Sequence, residues 1–237
     1  MKEWAKMPSD RLMDAEKTPL KGMTWSGDDK SNYIAALMVY IVLVHHANAE
    51  NSRKSGCIGT VSMPYSTICD LIGISRAKVS KGLCVLENVN LITREIVGKT
   101  NVYTIVNHEN ISGWAKLPAK GLYDKNLSTL TAFTSFKLRS KVELNALKIY
   151  LVIAAFKHNH NNYTLLSYEK ITKYANVQRN DIRSALSLLV TNNLVQIDSI
   201  PSEVNEHSHV NVYRLCHLEV YKHRGTQTIE SILDQVG

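Results

Sequence analysis

The chain has no apolar stretch long enough to cross a bilayer. Its longest, Ile34 to Val44, has about eleven residues including Tyr40, where a spanning helix needs roughly 20. That run is expected to form a buried helix. The first residues, Glu3 and Asp10 among them, carry neither the apolar stretch nor the cleavage pattern of a secretory signal, so a cytoplasmic protein with no membrane partner is expected. Cysteine is scarce. Cys57, Cys69, Cys84 and Cys216 show no Cys-x-x-Cys spacing, and Cys69 and Cys84 sit among apolar neighbours, which predicts reduced, mostly buried thiols. There is no Gly-x-x-x-x-Gly-Lys-Ser/Thr phosphate loop, no paired acid and base and no nucleophile elbow. No enzyme, cofactor or metal site is therefore expected. Acidic residues are the minority, 21 against 28 Lys plus Arg, and the net charge of +7 with a pI near 9.1 favours a polyanionic partner. Hydrophobic residues at 44% and charged residues at 21% are ordinary for a globular protein and argue against wholesale disorder.

What the chain does have is one unit written twice. Trp4-Ala5-Lys6-Met7-Pro8 returns as Trp114-Ala115-Lys116-Leu117-Pro118, a spacing of 110 that also relates Ala36-Leu37 to Ala146-Leu147, Tyr40 to Tyr150 and Tyr103 to Tyr213. Between these the spacing is 103, pairing Tyr65 with Tyr168, Ile68 with Ile171, Leu83 with Leu186, Leu86 with Leu189 and Leu91 with Leu194. A longer connection in the first copy, Ala49 to Thr60, explains the step, and the second copy recovers it near Pro201 to Ser208. Self-similarity of this kind settles architecture before any single motif does. It predicts two tandem domains from an internal duplication, residues 1–112 and 113–222, followed by a tail at 223–237.

Each copy opens with an apolar helix, Asn32 to Asn48 in the first, where Asp28, Asp29 and Ser31 are candidate N-caps. The matching start, Ser140-Lys141-Val142-Glu143, has the form of a capping box. A second helix follows Pro64, which suits a first helical turn, and Ser167 takes its place in copy two. Gly73 ends that helix in a left-handed turn, and Asn176 stands at the equivalent point because Asn is the commonest non-glycine residue there. The third helix runs from Ser75 to about Asn88, with Val79, Leu83 and Leu86 inward and Arg76, Lys78 and Lys81 outward. Its twin spans Gln178 to Asn192, with Ile182, Leu186 and Leu189 inward and Arg179, Asn180 and Arg183 outward. Two strands then flank the turn Gly98-Lys99-Thr100-Asn101, and copy two repeats them as Leu194 to Ile200 and Val210 to Leu218.

This order is that of a winged helix-turn-helix, and the fold class is expected to be mainly α with β-hairpin wings. The segment Ile74-Ser75-Arg76-Ala77-Lys78-Val79-Ser80-Lys81-Gly82-Leu83, followed by Leu86 and Leu91-Ile92, resembles the recognition-helix signature of bacterial winged-helix proteins. MarR-like repressors, plasmid replication initiators and phage replication proteins share the likeness, which covers residues 32–106 and 141–218. The Trp-x-Lys-x-Pro openings resemble lead-in segments of replication-type winged helices.

The resemblance implies double-stranded DNA as partner, with the third helix in the major groove and its first residues at base edges. Ser75, Arg76 and Lys78 are then placed at bases or nearby phosphates and Lys81 at the backbone. Arg76 is the candidate for a bidentate guanine contact. On the wing, Arg94, Lys99, Thr100 and Asn101 are candidates for phosphate or minor-groove contact. In copy two Gln178, Arg179, Asn180 and Arg183 are the corresponding readers. There Asp181 takes the Lys78 place and Ser184 the Lys81 place, while Glu203 and Glu206 lie on the wing. From Gly113 to His160 the chain holds Lys137, Arg139, Lys141 and Lys148 among eight basic residues against two acidic ones. Backbone binding by copy two is therefore expected to involve this segment, Lys137 and Arg139 in particular.

The histidines read as bland. His158-Asn159-His160 is too compact for a His-Asn-His nuclease and reads as a solvated loop. His207-Ser208-His209 lacks a third metal ligand. His45-His46 is expected to cap the C-terminal end of the first helix as imidazolium, favoured by the partial negative charge there. The leading functional expectation is a sequence-specific transcriptional regulator; the alternatives are a replication initiator or partition protein of a plasmid, phage or mobile element, or a module that binds protein. A single chain is expected to cover an asymmetric or directly repeated DNA site, and a homodimer a palindrome.

Overall fold

Two apolar helices form the centre of the molecule: α1, Lys30–His46, and α4, Lys141–Phe156, which pack on one another. From Ile34 to Val44 α1 is buried on every side, because the run has no polar face to offer to water. The structure, a computed structural model, describes residues 1–49, 57–98, 100–157, 162–201 and 209–218. Strand β1, Trp4–Pro8, precedes α1; β2, Thr60–Ser62, α2, Tyr65–Ile72, α3, Arg76–Asn88, and the hairpin of β3, Ile92–Val97, and β4, Thr100–Ile105, follow it. The second half repeats the order with β5, Trp114–Pro118, α4, β6, Thr164–Leu165, α5, Tyr168–Ala175, α6, Arg179–Thr191, and the strands β7, Val195–Pro201, and β8, His209–Leu215.

Each half carries an antiparallel three-stranded sheet, ordered β2-β4-β3 in the first and β6-β8-β7 in the second. The fold is thus mixed α/β with six helices and several small sheets among the described residues, rather than mainly α. The short strands β1, β5, β2 and β6 make the difference. Each exists only because a partner distant in sequence completes its hydrogen bonds, as when Trp4 pairs with Pro118 and Thr60 with Thr104. The hairpin ladder runs further than expected: Thr100 and Asn101 pair with Val97 and Ile96, and Gly98 beyond the last pair has φ +64°.

The core is continuous from Met7 to Leu215, and the tyrosines that mark the repeat, Tyr40, Tyr103, Tyr150 and Tyr213, are all within it. α3 lies close on α1 and α6 on α4. At Gly82 an added Cβ would come within 3.0 Å of the backbone of Ala35 and Ala36, so the absence of a side chain sets that approach.

Local expectations at the helix ends are met in part. Asp29 is the N-cap of α1, but its carboxylate accepts from Asn32 Nδ2 at 2.7 Å and not from the backbone. Ser140 caps α4 by accepting from Val142 N, whereas Glu143 does not close a capping box. Its carboxylate reaches further back and accepts from the main-chain N–H groups of Lys137 at 3.0 Å and Arg139 at 3.1 Å. The thiols also depart from expectation: Cys57 and Cys84 are exposed, Cys69 is half-buried and only Cys216 is buried. Cys84 lies on α3 one position past the Leu83 stripe, so helical rotation turns it to solvent.

Candidate nucleic-acid interface

α2 and α3 are joined by a turn whose pivot is Gly73, at φ 66° and ψ 29°, with its N–H donated to Cys69 O at 2.8 Å. Asn176 holds the same left-handed conformation between α5 and α6, at φ 49° and ψ 51°. Each half therefore contains two helices across a tight left-handed turn. Ser75 is the N-cap of α3 and accepts from Lys78 N, while Gln178 begins α6 without a side-chain cap. As expected, Val79, Leu83 and Leu86 are buried in the first half, and Ile182, Leu186 and Leu189 in the second.

The opposite edges are free. Ser75, Arg76 and Lys81 are exposed on α3, as are Gln178, Arg179, Asn180, Arg183 and Ser184 at the start of α6. Arg76 opens α3 and places its guanidinium 5.5 Å from the centroid of the Tyr65 ring; Arg179 opens α6 and lies 5.9 Å from that of Tyr168. A planar guanidinium resting on an aromatic face keeps its five donors around its edge, the form in which arginine makes bidentate contacts. These two tyrosines were visible as a repeat pair in the sequence, but not as the supports of the arginines.

Lys78 departs from the expected outward pose. Its ammonium donates to Ser31 Oγ at 2.6 Å and Asn32 Oδ1 at 2.8 Å, tying the start of α3 to the start of α1. The second half makes the same tie with an ion pair, Asp181 to Lys141 at 2.6 Å. Asp181 is thus matched by a cation of its own half, and Lys141 is engaged by it.

The wing residues divide. Arg94 is turned inward, bonded to Tyr65 Oη at 2.5 Å and paired with Glu87 at 2.8 Å. Thr100 is exposed and Asn101 half-buried, while Lys99 lies outside the described residues, as do Glu203 and Glu206. Ile96, 75% exposed, puts apolar surface near the hairpin tip.

Lys137 and Arg139 are exposed, but they do not extend the face of α6. With Ser31, Gly73, Ser75 and Lys78 they line a cleft of about 810 Å³ whose floor includes Ile72, Leu130, Phe133 and Phe136. The lead-in of the second half thus adds cations beside the turn of the first, held there by Glu143. Lys148 is no candidate for phosphate. It is buried, donates to the main-chain oxygens of Met23 at 3.0 Å and Asn176 at 3.2 Å, and burial lowers its pKa to about 7. His45 is likewise no imidazolium cap. Burial lowers its pKa to about 3, and Nδ1 bonds the Tyr123 hydroxyl at 2.9 Å, so desolvation outweighs the helix-end charge. His158 to His160 and His207-Ser208 lie outside the described residues.

Residues 143–195, from α4 into the first residue of β7, match the model of a helix-turn-helix domain family. No curated protein and no solved structure matches the chain. The class is thereby defined for the second half: it contains a helix-turn-helix domain, and such a domain supports binding to DNA. Among the described residues no helix is long and apolar enough to cross a membrane.

Proposed function

We propose that this protein is a sequence-specific double-stranded DNA-binding protein of the cytoplasm, a transcriptional regulator without enzymatic activity. It is built as two tandem winged helix-turn-helix domains, residues 1–112 and 113–222, that arose by duplication. α3 and α6 enter the major groove, which is wide enough for a helix, with their N-terminal turns at the base edges. The observation that carries this reading is the repeated Arg-on-Tyr pair: Arg76 on Tyr65 and Arg179 on Tyr168, each opening an exposed helix edge after a left-handed turn. Ser75, Lys81, Gln178, Asn180 and Arg183 flank the arginines at bases or phosphates. Lys137 and Arg139 add sequence-independent attraction beside the first turn. Footprinting on random and genomic duplexes tests the proposal. Discrete protected sites are the expected result, and uniform affinity for unrelated duplexes at physiological salt would reject it.

A second reading, replication initiation, is favoured by one specific observation. The two Trp-Ala-Lys-x-Pro segments that resemble replication-type lead-ins pair as β1 and β5. Protection of iterated repeats at an origin, with no single operator, would select it over regulation.

A further inference from the structure

The contacts between the two halves are reciprocal. In the β1–β5 ladder Trp4 faces Pro118 and Pro8 faces Trp114, so the centre of the ladder is Lys6 opposite Lys116, two residues that hold the same place in the repeat. Around that centre the Trp4 and Trp114 rings stack at 5.9 Å, Lys6 lies 5.9 Å from the Trp114 ring, and Lys116 lies 5.2 Å from the Trp4 ring. The lead-ins are exchanged in the same sense. Leu130 N donates to Leu71 O at 2.7 Å, bringing the second lead-in to the end of α2. Asn176 Nδ2 donates to Lys21 O at 2.8 Å and Lys148 to Met23 O, bringing the first lead-in to the turn after α5. Leu20 and Leu130, 110 residues apart, are both buried.

Contacts of the form i to j and j to i define an isologous interface, the kind that a twofold rotation makes and a translation cannot. When two reading helices related by such a rotation engage one duplex, they meet its antiparallel strands in opposite directions, so the sequences they read are inverted.

We propose that one chain of this protein reads an inverted pair of unlike half-sites in a single duplex, as a homodimer reads a palindrome, but with two different halves. This rests on the DNA-binding reading above. The half-site under α3 is guanine-centred, read by Arg76 with Lys81 at the backbone. The half-site under α6 combines guanine, read by Arg179, with adenine, for which Gln178 and Asn180 supply the bidentate amide. Asp181 is held by Lys141 and does not oppose this contact.

The test begins with selection of bound duplexes from a random library by the full chain. The recovered half-sites are then synthesised in inverted, direct and single arrangements over a series of spacers. Affinity is measured for each, with the stoichiometry of the complex by light scattering. The expected result is one chain per duplex and at least about tenfold tighter binding of one inverted spacing, because the second contact is intramolecular. Arg179→Ala is expected to remove protection from the adenine-containing half alone. Preference for direct repeats, two chains on one inverted duplex, or one chain bridging two duplexes would overturn the inverted arrangement while leaving DNA binding intact. No affinity for any duplex would overturn the DNA reading itself.

Discussion

Lys78 Nζ donates to Asn32 Oδ1 at 2.8 Å and so fastens the first turn of α3 to the first turn of α1. A side chain already bonded at Asn32 and Ser31 must give up those bonds to reach phosphate. Lys78→Met is therefore expected to cost about 1 kcal/mol of stability, the scale of a half-exposed hydrogen bond, and less DNA affinity than Arg76→Ala. Thermal unfolding beside a mobility-shift titration checks both; equal losses of affinity in the two variants would show that Lys78 leaves its bonds to bind DNA.

The exposed arginines carry the opposite expectation. Arg76→Ala and Arg179→Ala should each weaken binding of the selected site by about 1–3 kcal/mol, the worth of a bidentate base contact, with stability changed by no more than about 0.5 kcal/mol. Arg76→Lys should not restore affinity, because an ammonium lacks the planar fork. Full recovery by lysine would mean a phosphate contact only.

Gly82 and Ala185 occupy equivalent places, 103 residues apart, in α3 and α6. Ala185 is buried without exposure, whereas at Gly82 a Cβ would meet the backbone of α1 at 3.0 Å. Gly82→Ala gains up to about 1 kcal/mol of helix propensity but forces α3 off α1, so a net loss of stability is expected. Ala185→Gly should destabilise through lost propensity and packing. A stabilised Gly82→Ala protein in thermal or urea unfolding would show that the two helices separate easily.

Lys148 provides a pH signature. Its folded-state pKa of about 7 lies below the ordinary 10.5, so the unfolded chain holds the extra proton between those values and stability rises with pH across that window. Below about pH 7 the burial cost is present in full. Lys148→Met, which places in α4 the residue type that α1 has at Met38, should flatten the slope between pH 7 and 10. Urea denaturation of both proteins at several pH values measures it. An unchanged slope would mean that the ammonium is better solvated than its burial implies.

Much of the fold was legible in the residues. The Gly73 and Asn176 turns and the Val79, Leu83 and Leu86 stripe all depend on neighbours within a few turns of chain, and the structure agrees with each. The candidate site was legible as a set of exposed cations on α3 and α6, because helical periodicity alone turns Arg76, Lys81, Arg179 and Arg183 away from the apolar stripe. It was not legible which cations were already engaged. Arg94 bonds Tyr65, Lys78 bonds Asn32 and Lys148 bonds Met23 across separations of 29, 46 and 125 residues, and no local pattern encodes those partners.

By itself, then, the amino-acid order determined the two helix pairs joined at Gly73 and Asn176, their apolar stripes and the arginines that open α3 and α6, since each follows from short-range periodicity and backbone preference. The tertiary structure alone decided that β1 pairs with β5, that each lead-in docks on the other half's turn, and that Lys137 and Arg139 stand beside the first turn instead of extending α6. Those outcomes depend on which buried faces meet. Apolar burial has no direction, so only the assembled core, with α1 against α4, could choose rotation over translation for the two halves.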